Sequence, residues 1–135
     1  MKANIYILAL VAFLAIGCSK SSEEKLIGKW DYSESGFYAI KSIFYTDTSK
    51  ITHGATLSIR TGNVGTKAYA DSSVSFEWFL TEDTAITITE QGKEPSLYRI
   101  QLDGENFQQW HLHKITTSAL NATEEWFTVA TLNKR

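Results

Sequence analysis

From Val74 to Leu80 the chain alternates. Val74, Phe76, Trp78 and Leu80 share one phase, with Ser75, Glu77 and Phe79 between them. The same period of two runs through Leu57 and Ile59, through Ile86 and Ile88, through Tyr98, Ile100 and Leu102, and through Trp110 and Leu112. Successive side chains of an extended strand point to opposite faces, so each segment reads as a strand with one buried and one solvated face. Turn residues punctuate them at 62–65, 81–84, 91–95 and 103–106, where Asp103-Gly104 favours a tight hairpin. Nearer the start, 26–33 and 37–45 read as two strands separated at Ser35-Gly36. Residues 46–54 read as a polar connection, 67–70 as a short strand, 118–125 as a loop or single helical turn, and 126–132 as the closing strand. This predicts an all-β domain of eight strands and a short ninth. Spacing of about 10–12 residues per strand and turn points to an antiparallel sandwich or barrel.

The N-terminus breaks this pattern. Ile5 to Ile16 is a nearly unbroken apolar run of 12 residues, and about 20 are needed for a helix to cross a bilayer. The run ends in Leu14-Ala15-Ile16-Gly17-Cys18, which resembles a bacterial lipobox with Ala15 where leucine is commonest. The resemblance implies a signal peptide over 1–17 and lipidation at Cys18. The mature protein would carry three acyl chains, palmitate among them, and be anchored in the cell envelope, in the outer membrane of a Gram-negative bacterium. One chain anchors weakly, at about 0.8 kcal/mol per buried CH₂, whereas three suffice. As the only cysteine, Cys18 leaves no disulfide within the chain. The following Ser19-Lys20-Ser21-Ser22-Glu23-Glu24 reads as a polar tether over 18–25. It also resembles the export signal of some surface-exposed lipoproteins.

Without residues 1–17, 118 residues remain, which suits one domain. Loss of Lys2 leaves 12 basic residues against 15 acidic ones, a net charge of −3. That argues against nucleic acid, which needs a clustered basic face.

Leu26-Ile27-Gly28-Lys29-Trp30 carries a further resemblance. A Gly-x-Trp opening the first strand is similar to the start of lipocalins and related barrels. The later Trp78–Leu80, Ile86-x-Ile88 and Tyr98-x-Ile100-x-Leu102 strands extend the likeness over 26–114 to small bacterial lipocalin-like lipoproteins. The resemblance implies one lipocalin-like barrel over 26–135, in which Trp30 plugs the closed end and Gly28 lets another backbone approach closely. It implies non-covalent binding of a small apolar or amphipathic ligand, without catalysis, cofactor or metal. The external helix and the disulfide of longer lipocalins have no counterpart in this sequence. A barrel of about eight strands is filled by its own side chains or holds one small ligand, and the sequence leaves both open. In the second case Trp78, Tyr98 and Trp110, on the apolar phase of their strands, line the pocket. In the first they pack the core, and the protein acts on a partner through its outer face. Tyr69, Phe76 and Trp126 complete this aromatic set.

Other chemistry is thin. His111 and His113 share one strand face, a usable metal geometry if His53 folds over them, but their phase opposite Trp110 and Leu112 places them in solvent. Glu77, Glu90 and Glu94 read as solvated outer-face charges. No nucleophile elbow or phosphate loop is present.

Overall fold

A computed structural model describes residues 19–42, 46–117 and 122–135. Cys18 and the apolar run before it lie outside these residues. A short helix, α1 (Ser22–Leu26), leads into eight strands: β1 (Gly28–Lys41), β2 (Thr46–Arg60), β3 (Val64–Ala68), β4 (Ser73–Thr81), β5 (Ala85–Glu90), β6 (Ser96–Asp103), β7 (Phe107–Thr117) and β8 (Thr123–Lys134). Each pairs antiparallel with the next, and β1 pairs with β8, so the sheet closes into an up-and-down barrel. Alternation decides which face is inside: Phe76 and Trp78 of β4 are buried, while Glu77 and Phe79 are exposed.

Three expectations change. The two early strands are one: β1 runs unbroken through Ser35-Gly36. Gly36 does not end the strand but lets its neighbour approach closely, since a Cβ there would lie 1.9 Å from the Phe127 carbonyl oxygen. The polar segment 46–54 is the first part of β2, paired along its whole length with β1. Third, Leu102 does not continue the buried phase of Tyr98 and Ile100. The β6–β7 register shifts between Ile100 and Leu102, and this bulge turns Leu102 out to 50% exposure.

The same bulge delivers Asp103 to the closed end of the barrel. There its carboxylate accepts from Ser22 Oγ (2.8 Å) and Lys25 Nζ (3.1 Å) of α1 and from Gln108 Nε2 (2.8 Å) of β7. The helix starts with a capping box in which Ser21 and Glu24 bond each other's backbone N–H. Its last residue, Leu26, is fully buried over the barrel. Trp30 lies beneath it, donating Nε1–H to the Leu26 carbonyl at 2.8 Å, and the Lys134 ammonium sits 5.0 Å above its ring. Gly28 has φ +142°, and a Cβ there would meet the Lys134 stem at 2.9 Å. The Gly-x-Trp pair thus makes room for a lysine side chain from the last strand, where the sequence suggested a neighbouring backbone.

Asp103→Asn is expected to lower stability at pH 7 by about 1 kcal/mol, a typical net hydrogen-bond contribution. Burial pushes the Asp103 carboxyl up, but hydrogen bonds from Gln108, Ser22 and Lys25, with the Lys25 charge, outweigh it and hold the group below its ordinary value. A carboxyl depressed on folding stabilises above its unfolded pKa of about 3.9, and the contribution fades as pH falls through the folded pKa. Urea unfolding should therefore show the two proteins converging as pH drops below that range.

Candidate functional site

On β1 the inward phase carries Trp30, Tyr32 and Glu34 in succession. It begins in the tryptophan core and ends on a carboxylate that is only 8% exposed. Glu34 is held by two hydroxyls: Tyr32 donates to Oε2 and Thr128 of β8 to Oε1, both at 2.5 Å. These lengths are typical of O–H donors to a charged acceptor. Across the barrel, Lys67 of β3 is equally buried. It donates to Glu90 Oε1 of β5 at 3.2 Å and places its ammonium 4.5 Å from the Tyr32 ring centroid. Tyr98 of β6 joins the two halves electrostatically through Tyr32 and Glu34. Five strands thus contribute one polar layer across the interior.

The layer's ionisation follows from its burial. Desolvation, then the neighbouring Tyr98 and Glu34 charges, push the Tyr32 phenol far above its ordinary range and keep it a donor. Burial and Glu34 likewise raise Tyr98, against an opposing hydrogen bond from Tyr32. Burial pushes Glu90 up, but hydrogen bonds and charge from Lys93 and Lys67 prevail and hold it below its usual range.

Beyond this layer the barrel changes shape. β3 pairs only with 56–60 of β2, and the pairing of β6 with β7 ends at His111. The outer parts of β2, β1, β8 and β7 continue past their shorter neighbours as a four-stranded curved wall, here called the hood. Along its inner phase Glu34 is followed by Gly36, which presents no side chain, and then by Tyr38. Tyr38 pairs with Trp126 of β8, ring centroids 4.6 Å apart. Lys114 of β7 places its ammonium 5.7 Å from the Trp126 ring.

The residues expected to line a pocket are deeper. Trp78 and Trp110 are essentially fully buried. Trp78 donates Nε1–H to the Val64 and Arg60 carbonyls at 3.2 and 3.3 Å, and Trp110 donates to Gln108 Oε1 at 3.2 Å. Tyr98 packs on Trp110, centroids 6.0 Å apart, and is the member of the trio that also reaches the polar layer. With Trp30 these rings fill the closed half. Glu90 corrects its expected place: it follows Ile86 and Ile88 on the inward phase, whereas Glu77 and Glu94 are exposed. His111 and His113 face outward against Phe127, with His113 Nε2 2.9 Å from Glu125 Oε1. His53 lies on β2 in register with Glu34, apart from that pair. Among the described residues no three metal-ligating side chains converge.

Two grooves stand out. One of about 520 Å³ runs over β3–β5 between Arg60, Glu77 and Lys93 and takes in the inward Phe76 and Glu90. One of about 330 Å³ lies over β6–β8 between Leu97, Arg99, His113 and Phe127. Sequence reasoning passed over Glu34 and Lys67. For Glu34 a signal existed, because it continues the phase of Trp30 and Tyr32.

No family model matches the chain, and no curated protein matches it. Among solved structures, EF1p2_mFAP2b bound to DFHBI is similar in fold, with a TM-score of 0.51 at 14% identity over 84% of this chain and 97% of that one. The likeness is one of fold: a closed antiparallel barrel.

Tyr32→Phe removes one of the two donors to a buried carboxylate and is expected to cost about 1–3 kcal/mol. Urea unfolding at neutral pH checks this. A change within about 0.5 kcal/mol, the range of ordinary surface substitutions, would show that water replaces the phenol freely.

Proposed function

We propose that this protein is a lipocalin-like lipoprotein that binds a small amphipathic molecule in its hood, against the Glu34 layer, and carries out no chemistry on it. The observation that carries the reading is the buried polar layer itself. A barrel that only needed to fill its interior would do so more stably with apolar side chains, because a buried ion pair seldom recovers its desolvation cost. Convergent polar groups beneath half-buried aromatic rings are instead the usual make-up of a ligand site. The solved barrel of similar fold, which holds DFHBI, supports the reading by analogy.

The lipobox resemblance supplies the setting: attachment to the envelope through an acylated Cys18, in the outer membrane of a Gram-negative bacterium. Residues 19–21 lead straight into α1 at the closed end. Such an anchor would set that end toward the lipid and the hood away from it.

A second reading, a filled barrel acting on a partner through its outer wall, draws on the exposed Phe79 and Leu97, at 53% and 55%. They lie in one row across β4, β5 and β6, each in register with Thr87.

Two measurements separate these ideas. Native and denaturing mass spectra of the full chain from its natural host should differ by one small molecule, whereas equal masses favour the filled barrel. Trp30, Trp78 and Trp110 are sealed in the core, so release of that molecule should shift only Trp126 emission, and Trp126→Phe should abolish the shift. Separately, Cys18→Ala should move the protein from the membrane fraction to the soluble one, and unchanged fractionation would overturn the anchor.

A further inference from the structure

The polar layer is unevenly charged. It holds two carboxylates, Glu34 and Glu90, against one ammonium, Lys67. Lys67 is committed to Glu90, which Lys93 also bonds from the outside. Among the described residues no ion pair reaches Glu34. The Tyr32 and Thr128 hydroxyls bond it, one on each oxygen, and the Tyr98 hydroxyl also faces it. A carboxylate offers about four lone-pair sites, so room remains for a further donor beside these hydroxyls. Gly36 leaves the inner wall bare between Glu34 and the Tyr38–Trp126 pair.

The surrounding rings suit the same sign of charge. Tyr32 and Trp126 each already face a lysine ammonium of the protein, at 4.5 and 5.7 Å, and the negative face of an aromatic ring attracts cations. Higher in the hood, Lys114 and Glu124 share the inner phase through their pairing with Trp126 and Ile40, one charge of each sign. His53 stands opposite Glu34 on β2 with an exposed side chain. Among the described residues neither the hood wall nor the layer supplies Glu34 with a bonded cation. In a site of low dielectric such a charge imbalance acts strongly on an entering ion.

We infer that the hood selects an amphipathic amine: an apolar or aromatic body carrying a protonated nitrogen, with the nitrogen on Glu34 and the body against Tyr38 and Trp126. The inference rests on the ligand-binding reading above, and three probes of one shape separate the two. 2-Phenylethylamine, 2-phenylethanol and 3-phenylpropionate are cationic, neutral and anionic at pH 7. Each is titrated into the full chain and followed by Trp126 emission and by calorimetry. The amine is expected to bind at least tenfold more tightly than the alcohol, and the carboxylate more weakly than either. Glu34→Gln should bring the amine-to-alcohol ratio close to one. Thr128→Val, which keeps the carboxylate but removes one hydroxyl, should retain the preference for the amine. It therefore serves as the control if the glutamine variant fails to fold. Equal binding of amine and alcohol, or preference for the carboxylate, overturns the amine inference and leaves the hood as a binding site. Binding of none of the three overturns both.

Discussion

A sheet that closes on itself has no edge, and the closing bonds here are those between β1 and β8, from Trp30–Lys134 at one end to Lys41–Thr123 at the other. Everything placed inside the barrel depends on that seam. It brings Lys134 over Trp30, Thr128 within reach of Glu34, and Trp126 against Tyr38. Each pair joins the first strand to the last, so none can form until the chain is nearly complete. The seam is tight because Gly36 lies where any side chain would strike the β8 backbone. One glycine therefore permits both the close seam and the bare stretch of wall beside Glu34.

Along the barrel axis the interior changes character in three steps. At the closed end α1, Leu26 and Trp30 form a dry plug, clamped by Asp103. The middle is polar, with every buried side-chain polar atom among the described residues satisfied. The open end carries aromatic rings that are only half buried. Hydrophobic burial in the first step supplies the stability that the second consumes. A polar layer is tolerable because the tryptophans beneath it already exclude water.

Much of this was legible in the chain. Period-two alternation identified β4, β5 and β7 and the face each one buries, and Gly28-x-Trp30 located the plug. The failures have physical causes. Gly36 carries a local signature shared by turns and tight strand approaches, and only the position of β8 distinguishes them. The polar face of 46–54 hid a strand because its partner, β1, and not a core, holds it in place. The Leu102 phase error came from a bulge, which no alternation rule anticipates. For the site, Glu34 lay in plain phase with Trp30 and Tyr32, but a carboxylate on a buried phase reads as noise until its hydroxyl partner appears from a strand 94 residues away. The aromatic residues singled out for a pocket were inward, as their phase required. What phase cannot give is depth along the axis, and depth separates Trp110 in the plug region from Trp126 in the hood.

Depth also decides what the outer surface can mean. Of the two grooves, the one over β3–β5 mixes charges of both signs, and the one over β6–β8 sets Arg99 beside His111 and His113. The first takes in Phe76 and Glu90 from the inward phase, and Glu34 lines neither. The groups of the Glu34 layer are instead buried, and bonds from separate strands fix them. Specificity needs groups that cannot rearrange when the wrong ligand arrives. A carboxylate held by two hydroxyls meets that condition, whereas exposed side chains such as Arg60 and Lys93 do not. The preference for one ligand class should therefore reside in the layer, and the hood should contribute contact area more than discrimination.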